Sequence, residues 1–328
     1  MVYLLSGYLG GFVASLVALW LSGDRVVSYA VELGVRLRVS KFFVGFIVLA
    51  IAAGVPELAI ALAAAFTNVS QVSAGDIIGA SFSDIALVTG LVLTMAGSIT
   101  LRRSDRIKII QLLAVSASVM VVVFAIGSIG KAMGLFLVFF YGVALFFLWE
   151  KRTKNDIWRE GAAVITHDIV TEHDVILTST LGIVIKLLIS IAIVLGCSWG
   201  TVHCAEVLAN LFGAPLETVG ATICALGTSL PELAMSLAAL KRKEYELVLA
   251  PTLGSVLAHV TLVLGVLAIG SSQTVSFSKL YGAGTFMFIG FAIMIFFLWL
   301  RRPLSRWQGL LLLTLYTVYL AYEIGLLV

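Results

Sequence analysis

Charge is what this chain has least of. Lys, Arg, Asp and Glu make up only 12% of its 328 residues, and the formal net charge is +3. An ordinary soluble domain carries about 25% charged residues. Proline is scarce at five residues, cysteine at three and histidine at four. Cys197, Cys204 and Cys224 show no CxxC spacing, sit in or near apolar segments, and read as small buried apolar residues. No HExxH occurs, which removes the commonest signature of a metal-dependent hydrolase. The basic residues fall in loops rather than on one face, so nothing indicates nucleic-acid binding. What is abundant is apolar surface: 61% hydrophobic residues and a mean hydropathy of +1.11. That composition belongs to a protein that crosses the lipid bilayer many times.

Ten apolar runs are each near the ~20 residues that a membrane crossing requires. They cover 2–22, 42–66, 75–97, 107–127, 131–149, 177–197, 216–240, 246–269, 280–300 and 305–325. The first run has no basic residue before it and no cleavage pattern, and is read as a true span rather than a signal peptide. Residues 26–41 read as a partly amphipathic connector. The longest polar stretch, 150–174, separates spans five and six, and its acids with His167 and His173 also admit a regulatory cation site. The expected organisation is a first unit at 1–149, a cytoplasmic linker at 150–176 and a second unit at 177–328.

The loops are strongly asymmetric in positive charge. Eighteen of the 21 Lys and Arg residues fall in the loops after spans one, three, five, seven and nine. The alternate loops hold only Lys131 and Lys279, and Lys186 lies inside span six. By the positive-inside rule the charged loops are cytoplasmic and both termini are outside. Asp76, Glu206 and Glu217 then fall near the external mouth, and Glu323 near the external end of span ten. Lys186 is expected to snorkel or to pair with an acid.

The chain contains one stretch twice. Residues 56–93 and 231–268 align without a gap at an offset of 175, matching Pro56/Pro231, Glu57/Glu232, Leu58/Leu233, Gly79/Gly254 and Gly90/Gly265. The loop inside the first copy, 67–74, has no basic residue, whereas its counterpart carries Lys241, Arg242 and Lys243. The two copies are therefore inserted upside down relative to each other. The fold expected is all-α and integral to the membrane: ten transmembrane helices in two inverted five-helix repeats, with helices broken at the midplane. Inverted repeats with interrupted helices are the architecture of a secondary transporter.

Each Pro-Glu joins a helix breaker to a carboxylate inside an apolar run. In the second copy, 225–232 reads Ala-Leu-Gly-Thr-Ser-Leu-Pro-Glu, so freed carbonyls meet the hydroxyls of Thr228 and Ser229 and the Glu232 carboxylate. The first copy, 50–57, keeps the Pro and Glu57 but has Ala53 and Gly54 in place of the two hydroxyls. Carbonyl, hydroxyl and carboxylate oxygens are ligands for hard cations such as Ca²⁺ or Na⁺. Asp84 and His259 occupy matching positions in the following helices. An ionisable group in a span costs about 2.5–3.5 kcal/mol on insertion scales and marks a functional site by default. Glu57, Asp84, Glu232 and His259 are thus expected to converge on one cation site.

At these residues the chain resembles the sodium/calcium exchanger family of the cation/calcium antiporter superfamily. The strongest likeness is 227–233, Gly-Thr-Ser-Leu-Pro-Glu-Leu, followed by Gly254-Ser255; a divergent first repeat is 54–58, Gly-Val-Pro-Glu-Leu, with Gly79. The resemblance spans both halves. It implies ten helices, with spans two, three, seven and eight enclosing the ions, and alternating access that exchanges Ca²⁺ for Na⁺ or H⁺. It implies Glu57 and Glu232 as central Ca²⁺ ligands, aided by the carbonyls of Ala53 and Thr228. The carbonyls of Ala50 and Ala225 and the hydroxyls of Ser229 and Ser255 would serve Na⁺. Ala53, Gly54 and Ala80 stand where the family has Thr, Ser and Ser, Ser81 replaces an Asn, and His259 stands where an acid or amide is usual.

Two classes of function remain. One is a multi-pass antiporter in the cell membrane, whose partners are inorganic cations and lipid and which needs no cofactor. It exchanges Ca²⁺ for Na⁺, or alternatively Ca²⁺ or another divalent metal such as Mn²⁺ for H⁺. The imidazole of His259 suits protons and softer metals. The other class, a cation channel or a metal-dependent membrane enzyme, explains neither the opposed repeats nor the paired broken helices.

Overall fold

The computed structural model describes residues 2–36, 54–101, 103–150, 180–241 and 245–325. Ala50, Ala53, residues 37–53 of the connector and second span, and the linker 151–179 lie outside the described residues.

Helices dominate, as the hydropathy requires. The first half holds α1 (Val2–Arg36), α2 (Val55–Phe66), α3 (Ser70–Ala96), α4 (Arg103–Ile126) and α5 (Lys131–Glu150). The second holds α6 (Thr180–Phe212), α7 (Leu216–Thr228) and α8 (Leu230–Lys241). It continues with α9 (Tyr245–Ala258, extended by His259–Val263 and Leu264–Gly270), α10 (Tyr281–Trp299) and α11 (Arg306–Glu323). Among the described residues, five helices are long and apolar enough to cross a membrane by length and composition, and four shorter apolar helices accompany them.

Two boundaries differ from expectation. The 26–41 segment is not a separate connector through Arg36, because α1 runs on to that residue. Span six does not end at 197, because α6 continues to Phe212 through Glu206. At 1.5 Å per residue, helices of 35 and 33 residues are about 50 Å long. That exceeds the ~30 Å hydrocarbon layer, so both must tilt or project. Their polar ends explain the misreading: charged residues late in a long helix look like loop. α1 and α6 pack chiefly on each other, tied by Thr201 Oγ1 donating to Ser15 Oγ at 3.0 Å. Lys186 on α6 lies over the Tyr29 ring of α1 at 5.8 Å, a cation–π contact.

Lipid offers little hydrophobic gain for packing helix on helix, so the contacts rely on small residues that let backbones touch. Those contacts repeat with the sequence. The backbones at Gly90 and Gly309 meet, and so do those at Gly265 and Gly134. Exchanging the halves by 175 residues converts one pair into the other. Four short strands behave alike: β1 (Ser98–Ile99) pairs with β4 (Leu304–Ser305), and β2 (Ser128–Ile129) with β3 (Val275–Ser276), both antiparallel. β1 and β4 come from the arginine-rich loops after spans three and nine, where Arg106 donates to the Arg302 carbonyl at 3.3 Å. β2 and β3 join loops of the opposite class. Each strand pair thus ties two loops that the charge distribution assigns to one side.

Candidate functional site

Both glutamates stand in the first turn of a half-helix, Glu57 in α2 and Glu232 in α8. Gly54 caps α2 and Pro56 occupies its first turn, where a proline costs no hydrogen bond. In the second half the helix is interrupted at Ser229, between α7 and α8. A helix N-terminus carries partial positive charge, so each carboxylate sits where the backbone best supports it.

The remaining walls are α3 and α9. α3 closes on α7 backbone to backbone: a Cβ on Gly79 would lie 2.2 Å from the Ala221 carbonyl oxygen, and one on Gly220 would lie 2.0 Å from that of Val72. Only glycine permits that approach. Asp84 and His259 each start a π-helical turn, Asp84–Val88 and His259–Val263, and a third such turn, Gly220–Cys224, lies in α7.

These elements bring the expected groups together. Glu57, Asp84 and His259 are wholly buried and Glu232 is 2% exposed. Glu57, Glu232 and His259 each offer one ligand atom, all within 4.8 Å of one another. His259 Nε2 is 3.7 Å from Glu57 Oε1, and its Nδ1 is 3.9 Å from Asp84 Oδ2. Ser255 Oγ lies 2.6 Å from both Asp84 Oδ2 and the Thr252 carbonyl, so its one proton serves either. Ser229 lies beside Asp84. The Ala225 carbonyl accepts the Ser229 N–H at 3.1 Å, and Thr228 is buried with it. No hydrogen-bond donor of another described residue reaches either oxygen of Glu57 or Oε2 of Glu232. Buried carboxylate oxygens without donors are atoms awaiting a partner, and two of them beside an imidazole can hold a cation.

Asp76 is a correction. It is not at an external mouth but wholly buried, with Oδ1 accepting a hydrogen bond from Thr228 Oγ1 at 3.1 Å. α3 begins at Ser70 rather than 75, which carries Asp76 almost two turns into the helix. The missed signal was spacing: Asp76 precedes Asp84 by eight residues, which puts both near one helical face. Glu217 is nearly buried, and Lys279, well exposed, approaches it at 3.9 Å.

Comparison with known proteins agrees with this construction. The family model described as sodium/calcium exchanger protein matches residues 7–150 and 182–325, two segments that start 175 residues apart. The sodium/calcium exchanger MaX1 of Methanosarcina acetivorans is 26% identical over 335 residues, covering 93% of this chain and 95% of its own. The solved sodium-calcium exchanger NCX_Mj is similar in fold with a TM-score of 0.59 and 24% identity, covering 98% of this chain and 99% of its own. The H⁺/Ca²⁺ exchanger CAX is similar with a TM-score of 0.73 at 15% identity, covering 98% and 87%.

Proposed function

Because the chain belongs to the sodium/calcium exchanger protein family, a family of cation antiporters rather than enzymes, we propose that it exchanges Ca²⁺ for Na⁺ by alternating access. The observation that carries this reading is the meeting of Glu57 and Glu232 with His259, ligand atoms within 4.8 Å, at the starts of two inverted half-helices. Half-helix ends at a repeat interface are where secondary transporters hold their ions.

Glu57 and Glu232 are the central Ca²⁺ ligands, joined by the carbonyls of Ala53 and Thr228. Ser229, Ser255 and the carbonyls of Ala50 and Ala225 serve Na⁺, and Asp84 and His259 complete the ring. Ca²⁺ and the coupling ions compete for the same carboxylates, so they are not held together. Once neutralised, the centre lets α1 and α6 slide past the remaining helices; left charged, it opposes that movement through an apolar barrier. The mutual packing of α1 and α6 supports their moving as a unit. The protein is multi-pass in the cell membrane with both termini outside, and its repeats, 1–149 and 177–328, flank a cytoplasmic linker at 150–176.

One observation favours a second reading, coupling to H⁺. His259 stands between Glu57 and Asp84, within 4 Å of both, and imidazole exchanges protons near neutrality. The fold likeness to CAX agrees with it. The test is ⁴⁵Ca²⁺ uptake into proteoliposomes with an outward Na⁺ gradient, against matched vesicles with only an outward H⁺ gradient. Uptake that follows Na⁺ supports the first reading and uptake that follows H⁺ the second; uptake with neither removes Ca²⁺ antiport.

A further inference from the structure

Counting charge in the interior leaves one group without a role. Four carboxylates are buried close together: Glu57, Asp76, Asp84 and Glu232. The buried groups able to carry positive charge, among the described residues, are His259 and Arg106. Arg106 is committed elsewhere, at the β1–β4 loops. A divalent ion offsets two carboxylates and a protonated His259 at most one. At least one negative charge remains, and an isolated charge in a protein interior is costly.

Asp76 is the carboxylate left over. It is not among the three groups that share one ligand centre, and it is not the carboxylate beside His259 Nδ1. It lies within electrostatic reach of both glutamates. Oδ1 takes the Thr228 hydroxyl, whereas Oδ2 is buried with no partner among the described residues. The Ser73 hydroxyl, one turn earlier on the same helix, is likewise buried and unpartnered. The facing wall is backbone, because the π-turn Gly220–Cys224 lies directly against Val72–Asp76. A cation at Oδ2 adds the missing charge and takes the lone pairs that these oxygens leave unused.

We propose that Asp76, with the hydroxyls of Thr228 and Ser73, forms a second cation subsite that holds a monovalent ion. A single carboxylate among neutral oxygens suits Na⁺ or K⁺ better than a divalent ion. Thr228 links the two sites. Its hydroxyl faces Asp76, and its carbonyl is in the ligand set proposed for Ca²⁺, so an ion at Asp76 fixes the geometry of the centre. Use in transport rests on the antiport reading, but binding does not.

The experiment is therefore equilibrium binding of ²²Na⁺, with ⁸⁶Rb⁺ in a parallel arm, to the purified full-length protein. A Glu57→Gln/Glu232→Gln background removes the central site. In it a stoichiometric amount of one monovalent ion should stay bound, and adding Asp76→Asn should abolish that binding. The arm that retains label identifies the ion. Thr228→Val in the same background should weaken binding about fivefold, the worth of one neutral hydrogen bond, and serves if Asp76→Asn does not fold. No retained label in either arm, or label unchanged by Asp76→Asn or by a folded Thr228→Val, overturns the subsite. Failure of Na⁺-driven Ca²⁺ uptake with label retained would strike the Na⁺-coupled reading alone.

Discussion

Asp84 and His259 hold the same place in the two halves, 175 residues apart, and meet with Oδ2 and Nδ1 at 3.9 Å. Each also opens a π-helical turn of five residues. Such turns recur at functional sites. Here two of them, related by the inverted repeat, deliver the side chains that close the centre between α3 and α9. Because one is a carboxylate and the other an imidazole, the centre is asymmetric although its frame is not.

That asymmetry predicts metal selectivity. Imidazole nitrogen favours borderline metals over Ca²⁺, which prefers oxygen. His259→Asp should weaken the ability of Mn²⁺ or Cd²⁺, relative to unlabelled Ca²⁺, to displace ⁴⁵Ca²⁺. A shift of about tenfold corresponds to roughly 1.4 kcal/mol. Displacement curves that keep their order in the variant would show that His259 is not a ligand.

The backbone contact between α3 and α7 predicts a stability effect. In Gly220→Ala the new Cβ would lie 2.0 Å from the Val72 carbonyl oxygen, and backbone cannot swing aside as a side chain does. Overpacking of this kind costs about 1–3 kcal/mol or more. The apparent melting temperature in detergent should fall clearly below that of Gly10→Ala, where nothing lies within 4 Å. Equal values would contradict the close approach.

The pairing of α1 with α6 predicts which crosslinks transport tolerates. A Cβ on Gly11 would lie 3.5 Å from Cys204 Sγ, so Gly11→Cys should join α1 to α6. Leu16 of α1 instead touches Gly227 of α7, so Leu16→Cys with Gly227→Cys should tie α1 to the broken helix. With the other cysteines replaced, oxidation should spare exchange in the first protein and block it in the second, with reductant restoring it. Loss in the first would mean that α1 and α6 do not move together.

Much of the fold was legible from the chain. The offset of 175, the two Pro-Glu pairs and the alternating loop charge pointed to inverted repeats; the matched glycine contacts follow that register, and the strand pairs follow it to within two residues. Glu57, Asp84, Glu232 and His259 stood out because ionisable groups inside apolar runs are rare, and the structure brings them together. Asp76 was missed because the polar stretch before it hid the start of α3 at Ser70. The lengths of α1 and α6 were hidden by Arg25, Glu32 and Glu206, which imitate loop composition. The π-turns have no composition of their own, since they depend on one displaced backbone hydrogen bond.

The most direct test concerns the two central carboxylates. ⁴⁵Ca²⁺ uptake should be measured in Na⁺-loaded proteoliposomes carrying the unaltered protein, Glu57→Gln or Glu232→Gln, at equal incorporation and with matched elution profiles. Each substitution removes a charged ligand worth roughly 1.5–3 kcal/mol, so uptake should fall by at least about tenfold in both, with the unaltered protein active. Uptake at the unaltered rate in either variant would show that the cation is held elsewhere.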